Sequence, residues 1–310
     1  MEHVRFVVPF QTVFYAPHYL ALTLGLFAQE GVDVEHATAV APNGVARSLL
    51  TGGADVGLSG PIRALSVVDR GEGQLTCVAE VNSRVGFFLL ARAPADSFAW
   101  RDLAGRRVLV FSEAPTPRLC LEYLLERHGV SLGAVDLVSD LPTERAVERF
   151  VAGRADYLLQ GQPVTERLLA SGQAHLAAGL GPALGPVAFS AYLVTPRFAA
   201  ERASALEAAL RALYRAQQWL HQHSPDEVAE RVASALPPDD RAILVAAIRR
   251  YLATKTWAAD PILRRPGFDA LQEVLLLRGF IRRGYPYEAV VNTERAEAAV
   301  RAVGPAAKPR

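Results

Sequence analysis

The chain has 310 residues, 51% of them hydrophobic, and its 33 Lys and Arg nearly balance its 32 Asp and Glu, for a formal net charge of +1. This length exceeds that of one hydrophobic core, so two compact globular units are expected. The balanced charge offers no basic stripe for phosphate neutralisation, which argues against a nucleic-acid partner, and no apolar run reaches the ~18 to 20 residues that span a bilayer.

The first ninety residues alternate between apolar runs of strand length and segments with helical spacing. The predicted elements are a strand at Val4–Pro9, a helix at Ala16–Gln29, a strand at Val32–Ala37, a helix at Gly44–Leu50, a strand at Asp55–Leu58, a helix from Pro61 and a strand at Leu75–Ala79. Such alternation predicts parallel β-α-β units with right-handed crossovers.

One segment of this pattern has an internal echo. Gly52–Gly60, GGADVGLSG, is matched by Gly153–Gly161, GRADYLLQG, and each follows an amphipathic helix and leads into a proline, Pro61 or Pro163. The alternative is coincidence, because Gly and Asp are common wherever a helix turns into a strand. The echo favours two Rossmann-like α/β lobes of similar plan.

Two further apolar runs, Gly86–Ala91 and Ala188–Val194, are predicted to be strands that cross between the lobes. They bracket about one domain's worth of chain. We therefore expect a discontinuous first lobe, residues 1–90 and 195–310, and an inserted second lobe, residues 91–194. The two connections form a natural hinge, because few torsions need to change for the lobes to close.

The last third of the chain is predicted to be helical and to pack on the first lobe. Helices are expected at Ala200–His221, after the capping box that begins at Ser224, at Asp239–Thr254 and at Phe268–Phe280. The residues from Gly304 to Arg310 have little to bury and are expected to fray.

The strongest local site signal is Phe111–Pro117, which follows a predicted strand at Arg107–Val110. Thr116 is a good N-cap and Pro117 a good first-turn residue, so a helix is expected to begin at the cleft and to offer free N–H groups to an anion or ring acceptor. The same argument applies to Ser59–Pro61 in the first lobe. An ordinary capped helix that binds nothing is the alternative reading.

Aromatic and neutral hydrogen-bonding residues gather at these strand ends and favour a flat or partly apolar solute. His18 follows the loop before it and is a candidate hydrogen-bond partner, although a surface or core role is the alternative. The predicted ligand-binding residues are Phe10, Gln11, Thr12, Tyr15, His18, Ser59, Gly60, Asn82, Ser112, Pro115, Thr116, Gln160, Gln162, Phe189 and Tyr192.

No catalytic constellation is recognisable. The seven histidines are scattered without metal-ligand spacing, and there is no Gly-x-Ser-x-Gly, Walker or Gly-x-Gly-x-x-Gly sequence. Cys77 and Cys120 fit neither a zinc pattern nor a disulfide framework and are expected to be buried thiols. We expect no catalytic residue, no metal and no cofactor.

Several motifs together resemble the sulfonate and thiamine-precursor substrate-binding proteins of ABC importers. The matching segments are Val13–Leu22, Gly25–Glu35, Leu50–Gly57, Asp102–Val108, Ala114–Pro117 and Gly153–Asp156. The resemblance implies the type II periplasmic binding protein fold, a ligand enclosed between the lobes and delivery to an ABC permease in the membrane. It leaves open a thiamine pyrimidine precursor, an aromatic acid or a sulfonate as ligand. We expect a monomer, although the sequence leaves the oligomeric state open.

Catalytic relatives of this fold provide a contrast. Where this chain has Ser59 and Arg63, the eukaryotic enzyme that makes the thiamine pyrimidine has a lysine and a histidine, and the related desulfinase has a nucleophilic cysteine where this chain offers Thr12 or Val13. A cytoplasmic enzyme in thiamine-pyrimidine or sulfur metabolism is the alternative, and a ligand sensor without a transporter is a third. The resemblance implies a periplasmic or membrane-associated location, and the lack of a recognisable secretion signal leaves a cytoplasmic one as the alternative.

Overall fold

Two five-stranded sheets form the framework of the protein in a computed structural model, which describes residues 1–39, 44–94 and 97–305. The strands within these residues are β1 Glu2–Val8, β2 Val32–Thr38, β3 Val56–Ser59, β4 Thr76–Asn82, β5 Phe88–Ala91, β6 Arg107–Val110, β7 Asp136–Val138, β8 Tyr157–Gln160, β9 His175–Gly179 and β10 Ser190–Val194.

The two sheets have the same plan. The first has the strand order β2-β1-β3-β10-β4 and the second the order β7-β6-β8-β5-β9. In each sheet the fourth position is taken by a strand that runs antiparallel to both neighbours, β10 in the first and β5 in the second. The predicted fold class, two α/β lobes of the type II periplasmic binding protein kind, is confirmed.

Helices surround both sheets. Within the described ranges they are α1 Ala16–Thr23, α2 Leu26–Gln29, α3 Gly44–Leu50, α4 Ile62–Arg70, α5 Pro115–Arg127, α6 Thr143–Val151, α7 Val164–Ala170, α8 Leu180–Leu184, α9 Pro196–Glu201, α10 Ala203–Gln222, α11 Pro225–Val232, α12 Arg241–Ala253, α13 Arg265–Leu277, α14 Tyr287–Val290 and α15 Glu294–Val303. No helix in this part of the chain has the length and apolar character needed to cross a membrane.

The predicted helix over Ala16–Gln29 is interrupted. Gly25 has a left-handed backbone, with φ of 68°, and it separates α1 from α2. Continuous helical spacing of apolar residues did not reveal this break, because α1 and α2 both bury residues against the first sheet. The predicted capping box is confirmed: the Ser224 side chain accepts from Glu227 N, and the Glu227 carboxylate accepts from Ser224 N.

The internal echo corresponds to the same pair of hydrogen bonds between neighbouring strands in each lobe. In the first lobe Arg5 and Asp55 share two hydrogen bonds, with Arg5 N donating to the Asp55 carboxylate at 2.9 Å and Asp55 N donating to Arg5 O at 2.9 Å. In the second lobe Arg107 and Asp156 repeat both contacts at 3.0 Å. The aspartate of each echo therefore ties β3 to β1 in the first lobe and β8 to β6 in the second.

The two aspartates differ in how strongly they are held. The Asp55 carboxylate also receives the guanidinium of Arg5, at 3.1 and 2.8 Å, and its side chain is 15% exposed against 35% for Asp156. Burial alone would raise the pKa of Asp55, but the hydrogen bonds from the Arg5 side chain and backbone outweigh it and hold that pKa below its usual range.

Asp55→Ala is therefore expected to cost more stability than Asp156→Ala. Removing Asp55 leaves a backbone N–H and a part-buried guanidinium without their acceptor, which corresponds to about 1–3 kcal/mol, against about 1 kcal/mol or less for Asp156. Urea denaturation at pH 7 measures both values. Equal losses for the two variants would contradict this account of the echo.

The strand pairing differs from the predicted lobe limits at both crossings. Residues 88–90 were placed in the first lobe, but β5 pairs with β8 and β9 of the second sheet. Residues 190–194 were placed in the second lobe, but β10 pairs with β3 and β4 of the first. The chain thus crosses at residues 83–87 and 180–189, and the assignment of residues 1–90 with 195–310 and of 91–194 to separate folding units stays a prediction.

The C-terminal helices pack on the first lobe and also reach the second. α10 packs against α1 and α15, whereas α12 contacts α7 and α13 contacts α5. Tyr123 of α5 donates to Glu273 of α13 at 2.7 Å, and Arg167 of α7 pairs with Asp239 before α12 at 2.8 Å. The predicted packing on the first lobe is confirmed, and contacts with α5 and α7 of the second lobe accompany it. The predicted frayed tail lies mostly outside the described residues, which end at 305.

Candidate ligand-binding site

A cavity of about 350 Å³ lies between the two sheets, where the carboxyl ends of β1, β3 and β8 meet. Parallel strands direct their carboxyl ends to one edge of a sheet, which is the usual place for a ligand in α/β folds. Ten of the predicted site residues line it: Phe10, Gln11, Thr12, Tyr15, Ser59, Gly60, Thr116, Gln160, Gln162 and Phe189.

The other five predicted residues lie outside the cavity lining. His18 and Tyr192 are both buried in the first lobe, where His18 Nδ1 lies 2.7 Å from the Tyr192 hydroxyl. Asn82 Nδ2 donates to the carbonyl of Phe14 at 2.9 Å, and the Ser112 hydroxyl donates to that of Leu141 at 2.6 Å. The fifth, Pro115, begins α5. Strand-end position selected these residues, but it does not determine which way a side chain points.

The helix that contains Thr116 begins two residues earlier than predicted. Its N-cap is Ala114, which has an extended backbone with φ of −146° and ψ of 144°, and Pro115 takes the first helical position. A residue before proline is held in the extended region, and proline suits the first helical turn, so this start satisfies both preferences. The prediction that Thr116 caps the helix is wrong, although its buried side chain does line the cavity.

Several lining residues were not predicted, among them Arg63, Phe87, Glu113 and Tyr251. The sequence did offer a sign that Arg63 has a functional role. A positive charge in the first turn of a helix is unfavourable because of the helix dipole, so an arginine at that position of α4 suggests a role in binding. No sequence pattern identified Tyr251, because it reaches the site from α12, far along the chain from the strand ends.

Aromatic rings from both lobes form the walls. Phe10 stacks on Tyr15 with ring centroids 5.9 Å apart and meets Phe111 of the second lobe edge-on at 6.3 Å. Phe87 lies 4.9 Å from Phe111, and Phe14, which also lines the cavity, packs edge-on against Phe87 at 6.5 Å. The arrangement suits a flat solute held between rings.

Polar groups across the cavity connect the lobes. The Thr12 hydroxyl of the first lobe donates to Gln162 O of the second at 3.5 Å. The Tyr251 hydroxyl accepts from Gln162 N at 3.1 Å and donates to Gly86 O at 3.2 Å, which joins α12, the second lobe and a crossing segment. Gln160, which is 1% exposed, has a buried Nε2 with no hydrogen-bond partner.

Burial keeps the two phenols of the lining, Tyr15 and Tyr251, neutral, and one cation lies near Tyr15. Burial raises the pKa of Tyr15, and the nearby Arg63 guanidinium opposes that rise without cancelling it. Burial, with a smaller contribution from Arg70, lowers the pKa of Arg63. Tyr15 is therefore available as a hydrogen-bonding hydroxyl and not as a base.

The described lining contains neither histidine nor cysteine. Cys77 and Cys120 are buried elsewhere, and burial raises the pKa of each thiol to about 12. The described residues contain no group of three or more His, Cys, Asp and Glu side chains placed to hold a metal ion. The cavity is thus equipped to hold and orient a solute with aromatic, amide and hydroxyl groups.

The chain is similar to known binding proteins, and to one enzyme, over nearly its whole length. A Bacillus subtilis (strain 168) protein named Putative binding protein YtlA is 26% identical over 288 residues, which cover 92% of this chain and 86% of that protein. The alkanesulfonate-binding protein SsuA from Xanthomonas axonopodis pv. citri, solved bound to MOPS, has a TM-score of 0.73 at 20% identity and covers 94% of this chain and 99% of its own. The desulfurization enzyme DSZB has a TM-score of 0.72 at 17% identity, with coverages of 97% and 99%.

At these identities the solved structures establish a shared fold and nothing finer. The family assignment comes from the sequence itself: the model of the NMT1/THI5-like family matches residues 13–228, which contain both echoes and all five strands of the second sheet. The chain belongs to the NMT1/THI5-like family.

Proposed function

We propose that the protein is the solute-binding component of an ABC importer and captures a small organic solute in the cavity between its lobes. The observation that carries the proposal is the lining itself, which takes aromatic and hydrogen-bonding side chains from both lobes and, among the described residues, no histidine or cysteine. Family membership, the name of the Bacillus subtilis relative and the fold shared with SsuA support it.

Closure of the lobes would enclose the solute. The crossing segments at residues 83–87 and 180–189 are short, so small torsional changes there move one sheet relative to the other. The contact between Thr12 and Gln162 O, and the bridge from Tyr251 to Gln162, stabilise the closed arrangement. A bound solute adds contacts to both lobes at once and so favours that arrangement.

An enzyme of the same fold is the competing function, because DSZB shares the architecture. The lining argues for binding instead: Thr12 and Ser59 are its hydroxyl groups at the first-lobe strand ends, and no imidazole lines the cavity among the described residues to activate them. Recovery of unaltered solute after prolonged incubation supports binding, and turnover would establish the enzyme. The expected partner is an ABC permease, with the protein acting as a monomer on the periplasmic or outer side of the membrane.

A thermal-shift panel tests the proposal. Pyrimidines, aryl and alkyl sulfonates, taurine, nitrate and aromatic acids are each added in excess, and at least one class is expected to raise Tm. A solute at 100 times its Kd stabilises the folded state by about 2.7 kcal/mol. Absence of a shift with every class, at millimolar concentration, would count against the proposed function.

Three alanine variants test the location of the site. Tyr15→Ala, Ser59→Ala and Thr116→Ala each remove a lining side chain, and each is expected to weaken the panel solute that binds by about fivefold or more in calorimetric titration. Ser112→Ala is the matched control for Ser59→Ala, because its hydroxyl donates to Leu141 O and does not line the cavity. Unchanged affinity in all three lining variants would place the site elsewhere.

A further inference from the structure

Two polar atoms in the cavity lining are buried without any hydrogen-bond partner: Gln160 Nε2 and Glu113 Oε2. Most buried polar groups in proteins are paired, because leaving one unpaired costs about 1–3 kcal/mol. Both atoms belong to second-lobe residues that line the same cavity. The missing partners are therefore to be sought in the solute.

The Glu113 side chain is held in place for this task. Its Oε1 accepts a hydrogen bond from the backbone N–H of Thr143, at the first residue of α6, at 2.9 Å. That contact orients the carboxyl group and leaves Oε2 as the unpartnered atom. A carboxylate oxygen can only accept, so it requires an N–H or O–H donor.

The charges of the lining point the same way. Among the described lining residues Arg63 carries the single positive charge, and Glu113 and Glu144 carry two negative charges. A compact anion such as a sulfonate or nitrate would be repelled by two carboxylates and attracted by one guanidinium, so the net interaction with the lining charges is unfavourable. An uncharged or cationic N–H group meets no such repulsion.

We propose that Glu113 is a specificity-determining residue that accepts a hydrogen bond from an N–H group on a flat aromatic solute. The inference rests on the proposed function and names the class of solute: a planar ring that bears an amidine-like or amino donor, in preference to an arylsulfonate. Phe10 and Phe111 supply the surfaces on which the ring lies.

Three probes with the same ring test this class in the full-length protein. Benzamidine is a planar cation with N–H donors, benzamide is neutral with the same shape, and benzenesulfonate is an anion. Calorimetric titration is expected to rank benzamidine first, benzamide second and benzenesulfonate last, with at least about tenfold between the first and last, because a charge-assisted hydrogen bond is gained in one case and like charges meet in the other.

Glu113→Gln tests the residue. Glutamine keeps an oxygen for Thr143 N and removes the charge, so benzamidine is expected to lose about tenfold in affinity, benzamide to change little and benzenesulfonate to gain. Glu148→Gln is the matched control, since it removes a negative charge from an exposed position on α6 outside the cavity lining, and it is expected to change each affinity by less than about threefold. Circular dichroism and Tm show whether both variants fold.

The outcomes separate this inference from the proposed function. Tighter binding of benzenesulfonate than of benzamidine, or an unchanged ratio of the two in Glu113→Gln, would overturn the role of Glu113. So would a failure of all three probes to bind while a sulfonate or nitrate from the thermal-shift panel does bind, and in that case the proposed function would stand. Failure of every compound in both series would overturn the proposed function itself.

Discussion

Replacing Glu80 by Gln is expected to stabilise the protein by about 3–5 kcal/mol at pH 9 and by less than about 1 kcal/mol at pH 5. Glu80 lies on β4 and is 4% exposed. Burial raises the pKa of its carboxyl group from 4.5 to about 8, with Arg264 lowering it and Asp260 raising it by smaller amounts. The side chain is therefore protonated in the folded protein at neutral pH and ionised in the unfolded chain.

The direction follows from that difference in proton binding. A pKa that is higher in the folded state means that the folded state holds its proton longer, so stability is fully present below pH 4.5 and is lost as pH rises towards about 8. Glutamine has nearly the same shape and never ionises. The wild-type protein should thus lose stability across this window and Glu80→Gln should not, as measured by urea denaturation at intervals from pH 5 to pH 9.

Glu122→Gln is the matched control, because Glu122 is equally buried but is paired. Its carboxylate meets Arg118 at 2.6 Å and Arg278 at 3.3 Å. Neutralising it leaves two guanidinium groups short of a partner and should destabilise the protein at pH 7. If Glu80→Gln also destabilised the protein at pH 9, the carboxylate of Glu80 would have to be charged and compensated in the fold.

The sequence predicted the architecture well because strands and helices that bury one face leave a regular apolar pattern. Both lobes follow from such runs, and the Gly-x-Ala-Asp echo marks the joints at Asp55 and Asp156 that repeat in the structure. The break at Gly25 left no trace in the pattern, because the apolar spacing continues past it.

Prediction of the site was limited by side-chain direction and by distance along the chain. The ends of parallel strands could be located, so Thr12, Ser59 and Gln160 were identified. Asn82 sits at an equivalent end but points its amide to Phe14 O, which no local pattern reveals. Tyr251 joins the site only because α12 packs across both lobes, a contact that depends on the completed fold.

Gly86→Ala is expected to destabilise the protein by about 1–3 kcal/mol and to weaken solute binding by at least about tenfold. Gly86 lies in the first crossing segment, and a Cβ there would stand 2.3 Å from Phe14 Cε2 and 3.1 Å from Thr256 Cγ2. The Phe14 ring cannot simply move aside, because it packs against Tyr15 at 5.6 Å and Phe189 at 5.5 Å. The added methyl group must therefore displace either a wall of the cavity or the crossing segment itself.

Gly161→Ala is the control that separates this steric effect from the general loss of a glycine. Gly161 lines the cavity, and a Cβ there would meet nothing nearer than Phe87 Cε1 at 3.4 Å, an ordinary van der Waals contact. It should change the free energy of unfolding by less than about 1 kcal/mol. Comparable losses in both variants would mean that the crossing segment yields to the extra methyl group, and that the packing of Phe14 against Gly86 does not fix the shape of the cavity.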